Sequence, residues 1–255
     1  YTQTGGSVTA GTDLTVGDDA GSVGTVNLSG GNINVATTVY VGDAGTGVFN
    51  QSGGIVEATG IVTVGSVAGA SGEYILSGGS LITDNELRVG TNGLGYFEVD
   101  GGTLIQDIND SGDNILLGYN PTGVGTLNFK SGVITGNSNL NIGRKGDGVY
   151  LQSGGSASFV GSLNMSHSTD GPTSVLDVSG GTLEIANDAT TGAHGSGVST
   201  EVTIRGTGVV TIGDIMWHGD DSPAAMTIAD SGHLTVANTL NVGHKDIGTL
   251  TQTGG

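Results

Sequence analysis

Apolar and polar residues alternate with a period of two along most of this chain, as in residues 26–28 and 33–35. Such alternation is typical of a β-strand that buries one face and exposes the other. No stretch of the sequence shows the apolar spacing of an amphipathic helix. The pattern therefore predicts an all-β protein.

The alternating segments are organised around a repeated sequence motif, which we call the phrase. It consists of an apolar or aromatic residue, three further residues and a glycine pair. Eleven intact or worn copies of the phrase occur, at intervals of about 25 residues. A regular interval of this length indicates a repeat protein whose units stack on one another. The first residues of the copies predict an inward-facing column that consists of Tyr1, Val26, Phe49, Tyr74, Phe97, Leu127, Tyr150, Leu176, Val202, Met226 and Leu250.

A second landmark, apolar-x-apolar-Gly, lies at a fixed distance from the glycine pair. It follows the second glycine of the pair by 11 residues in most copies, as from Gly31 to Gly42. One copy breaks the rule, with 16 residues from Gly102 to Gly118. The remainder of each repeat varies in length, so we expect a rigid part and a loop in every unit.

Two further inward columns follow from the same alternation. The column after the glycine pair consists of Val8, Ile33, Val56, Leu81, Leu104, Ile134, Ala157, Leu183, Val209 and Leu234. The column before the second landmark consists of Leu14, Val16, Val39, Val41, Val62, Val64, Leu87, Val89, Leu140, Ile142, Leu163, Met165, Ile215, Trp217, Leu240 and Val242. In one worn copy we count from Thr207, which makes His218 the landmark and turns Ile215 and Trp217 inward.

Three short strands per repeat predict a right-handed, single-stranded parallel β-helix (a β-solenoid) of about ten coils, each of roughly 25 residues. A single coil buries too few side chains to offset the entropy of ordering its backbone, so the coils must stack. We expect one solenoid domain over residues 1–255. Because residue 1 falls inside a repeat, we also expect the chain to be a segment of a longer repeat protein or of a polymer.

Composition and charge limit the kinds of partner that the chain is expected to bind. Glycine is 51 of 255 residues but is periodic, which is not the pattern of a disordered low-complexity chain. A formal net charge of −18 disfavours binding to nucleic acids and to anionic membranes. We therefore expect neither nucleic-acid binding nor membrane insertion.

The sequence offers no strong catalytic motif, and we expect no enzymatic activity. The Gly-x-Ser-x-Gly and His-Glu-x-x-His patterns are absent. Glu98 and Asp100 share one outward face, but we expect Asp100 to pair with Lys130 on the next coil, and Arg205 with Asp230 in the same way. The histidines are scattered, and we expect solvated loop positions for His167, His194, His218, His233 and His244.

The residues that break the 11-residue rule are the strongest candidate for a cation site. Asp107, Asp110 and Asp113 lie there together with two asparagines, and such oxygen ligands suit calcium. The alternative is a solvated acidic turn. A second candidate is the loop face on which Asp18, Asp19 and Asp43 stack. We expect no other cofactor.

Four glutamines occupy inward positions of the phrase, Gln3, Gln51, Gln152 and Gln252. Buried amides need hydrogen-bond partners. We expect the adjacent turns to supply them, so that these glutamines fix the corners. The alternative, a ladder of glycan-contacting glutamines, is weaker because the four coils are not neighbours.

The intact copies resemble a known group of proteins. Gly-Val-Phe-Asn-Gln-Ser-Gly-Gly at residues 47–54 and Gly-Val-Tyr-Leu-Gln-Ser-Gly-Gly at residues 148–155 carry the resemblance, with Leu-Asn-Ile-Gly at 140–143 and Leu-Asn-Val-Gly at 240–243. They are similar to the β-helical repeats of secreted bacterial autotransporter-like proteins and of long surface proteins with sorting signals of the PEP-CTERM kind. The resemblance implies a right-handed parallel β-helix that is exported to the cell surface or beyond.

Three function classes follow from the sequence. The favoured one is an extracellular structural rod that forms or extends a surface filament or matrix fibre by axial stacking. The first alternative is an adhesin or glycan-binding stalk, and the second, less favoured, is a polysaccharide lyase or hydrolase. The expected partners are further copies of the chain, joined head-to-tail through their end coils, and glycans or other cell-surface components.

Overall fold

The computed structural model describes residues 1–106, 114–167, 172–193 and 199–254. These residues form 25 β-strands and contain no helix. The strands make two sheets, one of 15 and one of 10 strands, and all strand pairs within them are parallel.

The first sheet consists of β1 (Thr2–Ala10), β3 (Val23–Val35), β5 (Thr46–Ala58), β7 (Ser71–Thr83), β9 (Leu94–Gln106), β11 (Val124–Gly136), β13 (Asp147–Gln152), β14 (Ser156–Phe159), β16 (Thr173–Val178), β17 (Thr182–Ile185), β19 (Ser199–Ile204), β20 (Val209–Ile212), β22 (Ala224–Asp230), β23 (His233–Val236) and β25 (Gly248–Gly254). The second sheet consists of β2 (Leu14–Val16), β4 (Val39–Val41), β6 (Val62–Val64), β8 (Leu87–Val89), β10 (Asn114–Leu117), β12 (Asn139–Ile142), β15 (Leu163–Met165), β18 (Ala189–Thr191), β21 (Ile215–His218) and β24 (Thr239–Val242).

The chain winds from the first sheet to the second and back, so each coil pairs with the coil before it and the coil after it. We number the coils 1 to 10 by their second-sheet strands, from β2 to β24. The stack makes a β-solenoid of about nine turns, which confirms the predicted parallel β-helix. The right-handed winding stays a prediction.

The number of strands per coil differs between the two halves. In coils 2 to 6 the two segments that flank the glycine pair join into one strand of 13 residues, such as β5. The register of β5 against β7 shifts at the glycine pair, between Gln51 and Ile55, so the strand continues through an irregularity. From coil 7 onward the two segments separate into β13 and β14 and their successors, which gives the three strands per coil that the sequence predicts.

The predicted aromatic and aliphatic column is the centre of the core. Its members lie directly above one another from Val26 to Leu250. The rings of Phe49 and Tyr74 stack with centroids 4.6 Å apart, and those of Tyr74 and Phe97 with centroids 4.9 Å apart. Such offset aromatic pairs stabilise the fold beyond the area that they bury.

The repeat has two positions where the backbone adopts a positive φ. One is the second glycine of the pair, as at Gly54 (φ 74°), and the other is the second landmark, as at Gly42 (φ 71°). Side chains with a Cβ rarely adopt this conformation, which explains why both positions are glycine in most copies. Ser166 takes the landmark position in coil 7 and keeps the same conformation, with a φ of 59°.

The predicted register is wrong by one residue in coil 9. Val210, not Val209, pairs with Leu183 and is buried. The reason is one extra residue between Gly206 and Gly208, so that the 11-residue count starts at Gly208.

The same one-residue shift also affects the predicted inward residues of the second sheet. The count from Gly208 ends at Gly219, which has the landmark conformation with a φ of 70°. Met216 and His218 therefore face the core, and the predicted inward residues Ile215 and Trp217 do not.

A further column of glycines lets the two sheets approach at one corner. Gly24, Gly47, Gly72, Gly95, Gly125 and Gly148 lie in register on successive coils. A Cβ on Gly47 would lie 2.2 Å from the amide nitrogen of Gly42 and from the carbonyl oxygen of Val16. Since both contacts are to backbone atoms, a side chain can be accommodated there only if the corner moves.

We expect Gly47→Ala to lower the free energy of unfolding by about 1–3 kcal/mol because of this overpacking. The matched control is Gly11→Ala, since a Cβ on Gly11 meets nothing within 4 Å and neither glycine has a positive φ. Thermal unfolding followed by circular dichroism measures both variants. Equal midpoints for the two variants would contradict the close-approach argument.

Candidate functional sites on the solenoid

The predicted calcium ligands Asp107, Asp110 and Asp113 lie outside the described residues, so calcium at this segment stays a prediction. Within the described ranges, no group of three or more His, Asp or Glu residues is placed to hold a metal ion. The structure therefore does not bring Asp18, Asp19 and Asp43 together as a metal site.

A polar network on the outward face of β9 and β11 surrounds Glu98. Lys130 Nζ donates to Glu98 Oε1 at 2.7 Å, and Asn128 Nδ2 donates to Glu98 Oε2 at 3.0 Å. Tyr96 Oη also donates to Glu98 Oε2, at 2.5 Å. The predicted pair of Asp100 with Lys130 is therefore wrong, because Lys130 reaches Glu98, and Asp100 instead accepts a hydrogen bond from Ser131 Oγ at 2.9 Å.

The electrostatics of this network hold the carboxylate in its charged form. Burial pushes the pKa of the Glu98 carboxyl upward, but the hydrogen bonds from Lys130, Tyr96 and Asn128 outweigh it and leave that pKa below its usual value. Burial and the hydrogen bond to Glu98 raise the pKa of Tyr96. A carboxylate that is held ionised by three donors is a poor general acid, so the network is suited to holding the sheet face together.

The predicted pair of Arg205 with Asp230 is also wrong. Arg205 pairs with Asp177 on the preceding coil, through Nε to Oδ1 at 3.1 Å and through Nη2 to Oδ2 at 2.9 Å. Asp230 accepts a hydrogen bond from the backbone N–H of Gly206 at 3.3 Å. Lys130 reaches the predicted coil but bonds to another residue of β9, whereas Arg205 bonds to the preceding coil in place of the following one. Residue spacing alone does not reveal either choice.

The inward glutamines fix the corners as predicted in three coils. Gln51 Nε2 donates to the carbonyl oxygen of Gly54 in its own coil and to that of Ser80 in the next coil, while its Oε1 accepts from Tyr74 Oη. Gln3 and Gln152 likewise donate to their own glycine pair and to the next coil, but their Oε1 atoms accept from the tyrosine of their own coil, Tyr1 and Tyr150. Gln252 is exposed and donates only to Gly254 within its own coil.

The histidines do not all lie on the surface as predicted. His167, His233 and His244 are exposed, and His244 Nδ1 lies 2.7 Å from Asp220 Oδ1. His194 lies outside the described residues. His218 contradicts the prediction, because its side chain is fully buried.

The buried His218 belongs to a polar part of the core that the sequence pattern did not predict. Its Nδ1 lies 2.7 Å from Thr191 Oγ1, and its Nε2 lies 3.0 Å from the carbonyl oxygen of Thr249. Burial lowers the pKa of the imidazole. Both ring nitrogens have partners within the chain, so His218 acts as a structural histidine.

A second buried cluster joins three hydroxyl groups on coils 7 to 9. Ser166 Oγ lies 2.9 Å from Ser174 Oγ and 2.7 Å from Thr200 Oγ1. A serine with a positive φ deserves inspection as a nucleophile. All three side chains are nearly inaccessible, so the hydroxyls satisfy one another and cannot meet a substrate.

A stack of one tyrosine between two arginines lies at the corner after the second sheet. The guanidinium carbon of Arg88 lies 4.4 Å from the centroid of the Tyr119 ring, and that of Arg144 lies 4.5 Å from it. Sequence reasoning missed this stack. Its signal was present, because Tyr119 and Arg144 each directly follow a landmark glycine and so must lie on neighbouring coils.

Comparison of the chain with protein-family models, with curated proteins and with solved structures finds no match. The resemblance to autotransporter-like and PEP-CTERM-type repeats therefore stays a prediction. Within the part of the chain that the structure describes, no helix is long and apolar enough to cross a membrane.

We expect the stability of the fold to fall as the pH drops below about 6.5 because of His218. The pKa of this histidine is lowered in the folded state, so on acidification the unfolded chain takes up a proton that the folded chain does not. The contribution is constant above the unfolded pKa and is lost on the acid side of it. Thermal midpoints of the wild type should therefore fall more steeply from pH 7 to about pH 5.5 than those of His218→Gln.

The exposed His233 provides the matched control. His233→Gln removes one exposed imidazole from the surface and should leave the pH dependence of the midpoint as in the wild type. If His218→Gln retains the full slope, the loss of stability comes from other groups.

Proposed function

We propose that this chain is a segment of a structural rod in an extracellular surface filament or matrix, and that it has no catalytic activity. The observation that carries the proposal is the uniform stacking of the coils. The same core column runs in register from Val26 to Leu250, so coils can be added without any change in the contacts between them. The extracellular location rests on the resemblance of the repeats to secreted bacterial proteins.

The outward surface supports a scaffold more than an enzyme. The described carboxylates of the Glu98 network and of Asp177 are engaged by cations, and the buried hydroxyl and histidine clusters are closed to solvent. A lateral pocket of about 240 Å³ lies at Thr9, Asn34 and Glu57. It is too small, and has too few polar and charged side chains, to bind and cleave a polysaccharide chain.

Axial continuation is supported by the match between β1 and β25. The sequence Thr-Gln-Thr-Gly-Gly occurs at residues 2–6 and again at 251–255; β1 contains the first copy, and β25 contains residues 251–254 of the second. In β1 the amide of Gln3 donates across to the carbonyl oxygen of Asn32 on the next coil. The amide of Gln252 is the equivalent donor on β25, so a further coil would find the same partner there, whether it belongs to the same polypeptide or to a second copy.

Electron microscopy of the purified chain tests the rod itself. Ten coils at about 4.8 Å each predict particles about 48 Å long or end-to-end multiples of that length. Immunogold labelling of the source cells should place the protein in fibres outside the cell. Compact particles with no rod axis, or label confined to the cell interior, would contradict the proposal.

Sedimentation velocity tests the stacking separately. We expect the wild type to form larger species as its concentration rises, and Gln252→Lys to shift them toward the monomer, because a charge on the strand edge opposes pairing. Thr182→Lys, which adds the same charge to the exposed face of β17, an internal strand paired on both sides, should leave the distribution unchanged. A wild type that stays monomeric would exclude stacking of copies but not the rod shape that microscopy measures.

A further inference from the structure

The positive charges of this chain are few, and most of them are neutralised locally. The chain has six Lys and Arg residues against 24 Asp and Glu residues. Four of the six cations lie within ion-pair distance of a carboxylate, and these are Arg88, Lys130, Arg205 and Lys245. The other two, Arg144 and Lys145, are neighbours in sequence and have no carboxylate partner among the described residues.

The Arg144 guanidinium is held in place by the stack on Tyr119. The backbone N–H of Tyr119 donates to Gly90 O at 3.0 Å, and that of Arg144 donates to Gly118 O at 3.1 Å, so these two residues sit on coils 5 and 6 at the same corner. Arg88 packs against the Tyr119 ring from coil 4. A guanidinium that lies flat on a ring keeps the N–H donors at its edge free for a planar oxyanion.

Two carboxylates lie close to this corner in sequence, Glu86 before Arg88 and Asp147 after Lys145. We call the residues that follow the landmark glycines on coils 3 to 6 the corner ridge: Ser66, Thr91, Tyr119 and Arg144. The carboxylate of Glu86 is engaged by Arg88, and that of Asp147 accepts the backbone N–H of Thr173 at 2.8 Å. The effect of charges that lie farther away is reduced by screening, which acts over about 8 Å at physiological ionic strength.

We propose that Arg144 and Lys145, positioned by Tyr119, form a binding site for the carboxylate or sulfate groups of an acidic polysaccharide. The corner ridge runs along the rod, with Arg144 half-buried and Lys145 exposed, so an anionic group of a linear polymer can reach both cations. A single-stranded nucleic acid fits the site less well, because such ligands stack their bases on exposed aromatic faces. Both faces of the Tyr119 ring are covered by guanidinium groups from the neighbouring coils.

The site does not depend on the rod function, and a binding assay tests it directly. The chain is titrated against immobilised polygalacturonate, heparin and neutral dextran at low salt. We expect binding to polygalacturonate, to heparin or to both, none to dextran, and weaker binding as the salt concentration rises. Tighter binding to polygalacturonate, which carries only carboxylates, identifies carboxylate as the recognised group, whereas tighter binding to heparin, which carries both groups, shows that sulfate contributes.

Variants of equal net charge separate a local site from general electrostatics. The double variant Arg144→Ala/Lys145→Ala should weaken binding about tenfold or more, since it removes both unpaired cations. The control, Arg205→Ala/Lys245→Ala, removes the same charge from two exposed, acid-paired positions and should change binding less than about twofold. Circular dichroism confirms that each variant keeps the fold.

Tyr119→Leu tests the positioning role of the ring. It should weaken polyanion binding several-fold while both cations remain, and Arg144→Lys should not restore full affinity because an ammonium lacks the planar donor edge.

Three results would overturn the proposal. They are no binding of the wild type to either polyanion, an equal loss in the control double variant, and binding of a single-stranded oligonucleotide that is as tight and as sensitive to Arg144 and Lys145.

Discussion

The close parallel stacking of coil on coil is the constraint on which the rest of this structure depends. Each coil must place its backbone within hydrogen-bonding distance of the next, and it must turn two corners without a Cβ in the way. A Cβ on Gly47 would come within 2.2 Å of backbone atoms on two other strands, and equivalent contacts arise at Gly72 and Gly95. The glycine content is therefore a consequence of corner geometry. The fixed 11-residue spacing has the same origin, because it joins the glycine pair, whose positive-φ conformation recurs in most coils, to the landmark, whose conformation recurs in every coil.

The same stacking decides how polar groups enter the core. A residue at an inward position lies between the equivalent positions of the coils above and below. A buried polar side chain must therefore find its partners within its own corner or on a neighbouring coil. Gln51 does both, since its amide group bonds to Gly54 and Ser80 while its carbonyl oxygen accepts from Tyr74. In the later coils the glycine column gives way to Ser174 and Thr200, and hydroxyl bonds replace the close backbone approach. The core thus changes from tightly packed glycine corners to polar corners without a change of fold.

The sequence predicts most of the fold because the periodicity and the side-chain alternation report the same geometry. The core columns from Val26 to Leu183 could be placed residue by residue, except for Ile115 and Leu117 in the coil that breaks the 11-residue spacing. The prediction was wrong where one inserted residue, between Gly206 and Gly208, shifted the count, because a shift of one residue exchanges the two faces of a strand. That shift turned His218 from a surface residue into a core residue. The ion pairs of Lys130 and Arg205 were also misassigned, since spacing identifies neighbouring coils but not the direction in which a long side chain lies.

The stacking fixes the core but leaves the outward side chains free to differ from coil to coil. The differences between coils are therefore concentrated on the outward surface. Residues at equivalent outward positions of neighbouring coils lie one coil apart, so their side chains can contact each other directly even when they differ in type. Tyr119 and Arg144 meet in this way on neighbouring coils, and Arg88 reaches the same ring from β8, three residues before the equivalent position on coil 4. A rod is therefore more than a spacer. Because the coils repeat, a few side chains that differ from their equivalents on other coils can form a local cationic site on a surface that is acidic elsewhere. The glycine corners hold the coils at a fixed spacing, which keeps that site preorganised.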